Sequence, residues 1–240
     1  MRYYKLSDPS GERLLARNES TWYDLTSAQP RLDSFVALVR TATTAGMSPD
    51  ELARRHLDEA PVVEEPAGSL GQPVEPSEVW AAGVTYEISE EAREAESQMP
   101  EIYRNVYDAD RPELFFKATP SRTVGPGEPV GIRGDSDWDV PEPELGVVLY
   151  EGKIVGYTVG NDVSSRSIEG QNPLYLPQAK IYERSCSLGP CVATSEVVED
   201  PHDLDLSMTI TRDGTELYSE QTSTAQLVRS CEELVSYYTR

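Results

Sequence analysis

Two glutamates, Glu142 and Glu144, head a strand-like apolar run, "VPEPELGVVLYEGKIVGYTVGND", that ends on Asp162. On an extended strand residues i and i+2 point to one face about 7 Å apart at the backbone, so the two carboxylates project side by side. In a cleft they repel each other, and a cation removes the repulsion. Glu-x-Glu triplets arise by chance in so acidic a chain, so the flanking residues must discriminate. A three-residue loop at Tyr150-Glu151-Gly152, with Gly152 left-handed, sets Leu149 opposite Lys153, Glu144 opposite Thr158, Glu142 opposite Gly160 and Val140 opposite Asp162. The even-numbered residues then share a face, and Asp162 reaches an ion held by Glu142. A two-residue turn is expected to put Asp162 on the wrong face. Gly146, Gly156 and Gly160 are expected to leave the acidic face open, while Leu145, Val147, Leu149, Val155, Tyr157 and Val159 pack a core from the other. Three carboxylates with no nearby His or Cys form a hard-oxygen set suited to Mg2+, Mn2+ or Ca2+ and not to structural zinc. The plain counterpart is a solvated acidic strand end.

Lys180, in "NPLYLPQAKIYERS", is the second chemical signal. The chain keeps only four lysines, and one retained among Leu, Pro, Gln and Ile is poorly explained as surface decoration. Desolvation or a nearby metal favours the neutral, basic form of such a lysine. Lys117 in "FFKATP" carries a weaker form of the same signal, and Glu113 precedes that strand and can point into the same cleft. The two histidines, His56 and His202, read as exposed or capping residues. No nucleophile elbow, Walker loop or dinucleotide fingerprint is present. Chemistry here must run on carboxylates, lysine and metal.

The elements that position these groups come next. The chain has 240 residues, enough for one main domain and a small appendage. Asp and Glu number 42 against 21 Lys and Arg, a net charge of −21 spread along the whole length. Such a surface stays hydrated in strong salt, where self-repulsion is screened, and reads as halophilic. It repels polyanions, so nucleic acid is not an expected partner. Cys186, Cys191 and Cys231 form no metal spacing; an odd count without a signal peptide points to reduced thiols and a cytoplasmic location. No apolar run approaches a membrane span.

The pattern predicts a mostly β, α+β protein of two units, a small N-terminal unit with its linker over 1–72 and a second over 73–240 in which strands dominate after residue 78. "MRYYKL", "ERLLAR" and "TWYDLT" form a meander, followed by helices from Ser34 and from Ser48, the latter with Pro49 at its first position and Glu51 closing a capping box. "EAPVVEEPAGSLGQPVEPS" reads as a linker or crossing strap. "EVWAAGVTY", "ELFFKATP", "EPVGIR" and "CSLGPCVATSEVV" read as strands, and "SEEAREAESQ" as a helix polar nearly all round. "DLSMTITRDGTELYSEQTST" is a hairpin turning at Asp213-Gly214, and a last helix carries Leu227, Cys231, Leu234, Val235 and Tyr238 on one face.

In that order and spacing, "VPEPELGVVL", "VGYTVGNDVSSRSIE" and "LPQAKIYERSCSLGPCV" resemble the fumarylacetoacetate hydrolase superfamily, and "RPELFFKATPSR" with "QNPLYLPQAK" resembles its archaeal 2-keto-3-deoxy-pentonate dehydratases. The resemblance implies a mixed, rolled β-sheet catalytic domain over 73–240 after a small N-terminal α+β domain, Mg2+ held at Glu142, Glu144 and Asp162, an active-site lysine at Lys180, a proton-moving carboxylate at Glu113, and a homodimer or homotetramer. Thr85 and Tyr86 match the strand end that borders the substrate, and Glu169 stands where many relatives have Gln. The hydrolases' active-site His is missing from "EISEEAREAESQ", which argues against water activation by a His-Glu pair. Relatives also continue past "ELVSYYTR", which implies a catalytic domain shortened at its C-terminus.

The implied activity is a lyase that dehydrates a 2-keto-3-deoxy-pentonate to 2-oxoglutarate semialdehyde, with Lys180 as base and Glu113 as acid. Acylpyruvate hydrolase and oxaloacetate decarboxylase chemistry use the same enolate on the same scaffold. A catalytically silent metal-binding or oligomer-forming protein is the reading of another class.

Overall fold

The alternating apolar pattern after residue 78 becomes strands, and the structure is mostly β with short helices. It is a computed structural model describing residues 1–9, 11–66, 70–83, 85–86 and 109–239. In chain order the strands are β1 (Arg2–Asp8), β2 (Gly11–Asn18), β3 (Thr21–Asp24), β4 (Val62–Val63), β5 (Leu70–Gly71), β6 (Val79–Gly83), β7 (Glu113–Ala118) and β8 (Thr123–Val124). There follow β9 (Asp139–Val140), β10 (Pro143–Tyr150), β11 (Lys153–Asp162), β12 (Ser164–Ser165), β13 (Cys186–Ala193), β14 (Asp205–Arg212) and β15 (Thr215–Ser223). Helices among the described residues are α1 (Leu25–Ala28), α2 (Phe35–Thr44), α3 (Pro49–Arg54), α4 (Arg166–Glu169), α5 (Leu176–Lys180) and α6 (Cys231–Tyr238). The expected polar helix in "SEEAREAESQ" lies outside the described residues.

Among the described residues, nine strands form one mixed sheet in the order β10-β11-β13-β1-β2-β3-β4, with β5 on β1 and β8 parallel to β13. The N-terminal meander therefore continues the sheet of the later strands, through Arg2↔Ala193 and Tyr3↔Val192. The 59–77 strap does more than cross: Val62–Val63 pairs with β3 and Leu70–Gly71 with β1. The expected strand "EPVGIR" does not form; Pro129 has no N–H for a ladder, and Gly131 instead donates to Arg184 O at 2.9 Å. The Asp213-Gly214 turn is as expected, both residues at positive φ, 51° and 76°.

Helix α2 lays Phe35, Leu38 and Val39 against Tyr3, Leu14 and Val192 of the sheet, and this is the main core. Helix α3 starts on the expected capping box, Ser48 and Glu51 exchanging side-chain and backbone bonds, with Pro49 in the first turn. That start places Asp50 beneath the β1–β13 junction. Its carboxylate pairs with the Met1 ammonium at 2.5 Å and accepts from the Tyr3 hydroxyl at 2.8 Å and the Thr194 hydroxyl at 2.7 Å.

The central hairpin corrects the expected register. Glu151 and Gly152 both have positive φ, 49° and 74°, so the turn is the two-residue kind whose twist suits antiparallel strands. Lys153 pairs with Tyr150 and Ile154 with Leu149; then Val155 bulges, and Gly156 pairs with Val148 and Gly160 with Glu144. A bulge adds one residue to one strand, so it restores the parity that the shorter turn changed. Asp162 consequently lies directly opposite Glu142, donating its N–H to Glu142 O at 2.9 Å.

Two further expectations for this hairpin hold only in part. Val155 reaches the main core and Tyr157 is buried, as expected, but Val148 and Tyr150 reach that core in place of Leu145, Val147 and Leu149, and Val159 is half exposed. Gly160 leaves room as expected, a Cβ there meeting nothing nearer than Leu188 Cδ2 at 3.6 Å, but Gly146 and Gly156 do not. A Cβ on Gly146 would meet Thr158 Cγ2 at 2.9 Å, and one on Gly156 would meet Val192 Cγ1 at 2.5 Å. They let strands and side chains approach closely.

Asp50→Ala removes the acceptor shared by a buried ammonium and two buried hydroxyls, and is expected to lower unfolding free energy by about 3–5 kcal/mol in a denaturant titration.

Candidate active site

Strand pairing, not sequence proximity, assembles the site. Glu142 precedes β10, Glu144 lies within it, and Asp162 ends β11 across from Glu142. One carboxylate oxygen from each lies within 4.8 Å of the others. The Asn161 side chain fixes the local backbone by accepting from Glu142 N at 3.0 Å.

Lys180 reaches this cluster from the last position of α5. Asn172 caps the preceding turn, and Pro173 and Pro177 occupy first-turn positions, so the segment coils without needing many residues. The buried Lys180 ammonium donates to Glu142 Oε2 at 2.5 Å and Asp162 Oδ2 at 3.0 Å, and stands 5.6 Å from the Phe115 ring centre. Glu169 is buried on α4, its Oε1 3.9 Å from Lys180 Nζ and its Oε2 2.6 Å from Arg166. Arg166 also pairs with Glu142 Oε1 at 2.8 Å, so it ties α4 to the head of β10. Lys117 is buried at the opposite end, 2.6 Å from Asp162 Oδ1.

Glu113 shares the β7 face of Phe115 and Lys117, both of which touch the cluster's lysine or aspartate. Its carboxylate folds over Gly83 on the paired strand, 2.1 Å from where a Cβ would stand. Thr85 and Tyr86 are held by Leu227 and Val228: Tyr86 bridges to Leu227, and Thr85 O accepts from Val228 N at 3.1 Å. Both line a cavity of about 580 Å3 that also touches Glu144 and Asp162. Its apolar wall includes Trp80, Leu145, Leu234 and Val235. Cys231, Leu234, Val235 and Tyr238 of the last helix line it; Leu227, expected on the same helix, lies ahead of it and lines the cavity too. Glu142, Lys180 and Glu169 stand beyond this lining, reached through their contacts with Asp162 and with one another.

Sequence reasoning missed Arg166, one arginine among seventeen, and Ser164, fully buried and donating to Glu142 Oε2 at 3.3 Å. Nothing in their local pattern distinguishes them. His202 is a cap, as expected: its Nε2 accepts from the Cys231 N–H at the start of α6 at 3.0 Å.

Burial is the main cause that pushes Glu144 up to about 8, and the negative charges of Asp162 and Glu142 add to it. Tyr86 is pushed up to about 12 by burial and then by Glu144. The cluster therefore calls for more positive charge than its lysines bring to Glu144. All its donors are oxygens, and their spread is close to the roughly 4 Å that separates opposite oxygens around one Mg2+. The residues fit a hard divalent ion.

The sequence profile described as fumarylacetoacetate (FAA) hydrolase C-terminal matches residues 78–240. The chain belongs to the fumarylacetoacetate hydrolase family. A relative from Haloferax volcanii, named a probable 2-keto-3-deoxyxylonate dehydratase, is 61% identical over 242 residues, spanning 100% of this chain and 84% of the relative. The halophilic composition fits that relative. The 2-dehydro-3-deoxy-D-arabinonate dehydratase of Saccharolobus solfataricus is 46% identical over 177 residues, covering 71% of this chain and 59% of its own length. Among solved structures of the fumarylacetoacetate hydrolase fold, a 2-keto-3-deoxy-D-arabinonate dehydratase complexed with magnesium and 2,5-dioxopentanoate superposes with a TM-score of 0.81 at 34% identity, over 100% of this chain and 83% of that one. The mostly β class and a magnesium cofactor agree with this family member.

Because Glu144 is held protonated below about pH 8, a divalent ion binding among these oxygens must expel a proton there. Calorimetry with Mg2+ in buffers of different ionisation enthalpy is expected to show proton release below that pH, and affinity that rises with pH and levels off above it.

Proposed function

We propose that the chain is a metal-dependent lyase that removes water from a 2-keto-3-deoxy-pentonate to give 2-oxoglutarate semialdehyde, which is 2,5-dioxopentanoate. The observation that carries this reading is the contact of a buried lysine with two of three clustered carboxylates at a cavity edge. The charge balance supports it. Glu142, Glu144, Asp162 and Glu169 stand against Lys117, Lys180 and Arg166, so the ionised set is short of one positive charge. A divalent ion turns that deficit into an excess of one, which suits a substrate bearing one carboxylate.

Glu142, Glu144 and Asp162 hold the ion in this reading. When bound, Mg2+ supplies Lewis acidity at the carboxylate and 2-oxo oxygens of the substrate. Lys180, as the free amine that a nearby divalent charge favours over its ammonium form, takes a proton from C3, and its anchorage at the end of α5 keeps Nζ beside the carboxylates that define the substrate's position. Glu113 gives a proton to the departing hydroxyl, which leaves as water. Proton shifts along the carbon chain then place the second carbonyl at C5, so the net change is loss of one water. Thr85 and Tyr86 border the substrate from the cavity wall, and Glu169 accepts from a substrate hydroxyl while Arg166 orients it.

The site of action is the cytoplasm, which three free cysteines support. No helix among the described residues is long and apolar enough to cross a membrane. The assembly is a homodimer or homotetramer; half-exposed Val159, Leu217 and Tyr218 give it apolar surface to cover.

The full chain is expected to convert 2-keto-3-deoxyxylonate or the arabinonate in Mg2+ and to stop in EDTA; metal-independent turnover rejects the reading. Lys180→Met is expected to lower kcat by about 10²–10⁴-fold while Mn2+ still binds, because a general base is lost and the three carboxylates are not. Retained turnover in that variant removes Lys180 from the mechanism.

A further inference from the structure

We propose that Lys117 is a positioning residue of the active site: it presents Asp162 to the ion through a single oxygen and clamps the backbone of Lys180 beside it. The inference rests on the active-site reading above and adds a residue to which that reading gives no task.

Lys117 is the last residue on the Glu113, Phe115, Lys117 face of β7 and is almost wholly buried, at 1% exposure. Its ammonium has three donors, and the structure supplies three oxygens from three different segments. One is Val163 O, next to Asp162, at 3.0 Å. Another is the carbonyl of Lys180 itself, in a short bond. The third is Asp162 Oδ1 at 2.6 Å, an ion pair off the hydrogen-bond axis. One side chain thus joins the end of β11, the end of α5 and the carboxylate between them.

Two consequences follow. Asp162 Oδ1 is engaged by Lys117, which leaves Oδ2 as the oxygen that accepts from Lys180, the same ammonium that donates to Glu142 Oε2. The Lys180 carbonyl lies at the last turn of a five-residue helix, where carbonyls lack partners within the helix, so the Lys117 ammonium also fixes where α5 stops. Tyr182 supports the same arrangement, its hydroxyl donating to Val163 O at 3.1 Å and its ring lying 5.8 Å from Lys117 Nζ. Lys117 is held by backbone on two sides, so it acts as a fixed strut.

Charge and position make opposite forecasts, which gives the test its sign. If Lys117 only neutralised acid, removing its charge would tighten divalent-ion binding, because a cation repels a cation. If it positions Asp162, removing it weakens binding despite the electrostatic gain. The experiment measures Mn2+ binding by electron paramagnetic resonance, with kcat and KM, in the full chain carrying Lys117→Met, Lys117→Arg or Asp162→Asn. Lys117→Met is expected to bind Mn2+ at least tenfold more weakly and to lose at least tenfold in kcat. Lys117→Arg keeps the buried charge but not the tetrahedral donor set, and is expected to lose at least tenfold in kcat with unchanged circular dichroism. It decides the matter if the methionine variant does not fold. Either folded variant matching the wild type in both Mn2+ affinity and kcat, or a methionine variant that binds Mn2+ more tightly, overturns the proposal. Asp162→Asn separates the two layers. If it loses Mn2+ binding while the Lys117 variants behave as wild type, only the strut is wrong; if it too binds and turns over normally, the active-site reading itself fails.

Discussion

Repulsion among Glu142, Glu144 and Asp162 is the constraint to which the rest of the structure answers. Three carboxylates with oxygens inside 4.8 Å cannot all stay ionised in a half-buried setting without opposite charge. The chain answers with Lys180 between two of them, Lys117 behind Asp162 and Arg166 between Glu142 and Glu169. Glu144 is left with the least compensation and is the member pushed up to about 8, chiefly by burial. The site is thus organised before any ion arrives, yet remains short of positive charge at one named oxygen donor.

That organisation needs rigid carriers, and the sheet provides them. The hairpin of β10 and β11 brings Glu142, Glu144 and Asp162 together, and β13 pins Asp162 through its pairing with Cys186. Strand β1 holds the far side of β13, so the N-terminal meander, its helices and the Met1–Asp50 ion pair brace the strand that braces the site. Burial of α2 against the sheet supplies the core for this construction, while the cavity side stays open.

The placement of lysine follows from the charge of the whole chain. With a net charge of −21, the surface has little use for ammonium groups, and two of the four lysines are buried at the carboxylate cluster. Lys5, on β1 between β2 and β5, pairs with Glu12 and Glu75, and Lys153 follows the hairpin turn. Scarcity on the surface is what makes Lys117 and Lys180 conspicuous.

Local chemistry was legible in the sequence wherever a short-range rule governs it. Alternation put Glu142 and Glu144 on one face, Ser48-Pro49-Glu51 announced the α3 start, Asp213-Gly214 announced a hairpin turn, and helical spacing announced the last helix that carries Cys231, Leu234, Val235 and Tyr238. What the fold alone decided involves partners distant in the chain. The Val155 bulge set the parity that places Asp162 opposite Glu142, because register depends on how β11 meets its neighbours and not on the turn residues alone. Arg166 and Ser164 look like any arginine or serine until α4 and β12 pack beside Glu142, and the Lys117 strut exists only because three separate segments converge on one ammonium. Residue types determined which chemistry was available; long-range pairing and close packing, which carry no short-range signature, determined which of those residues meet.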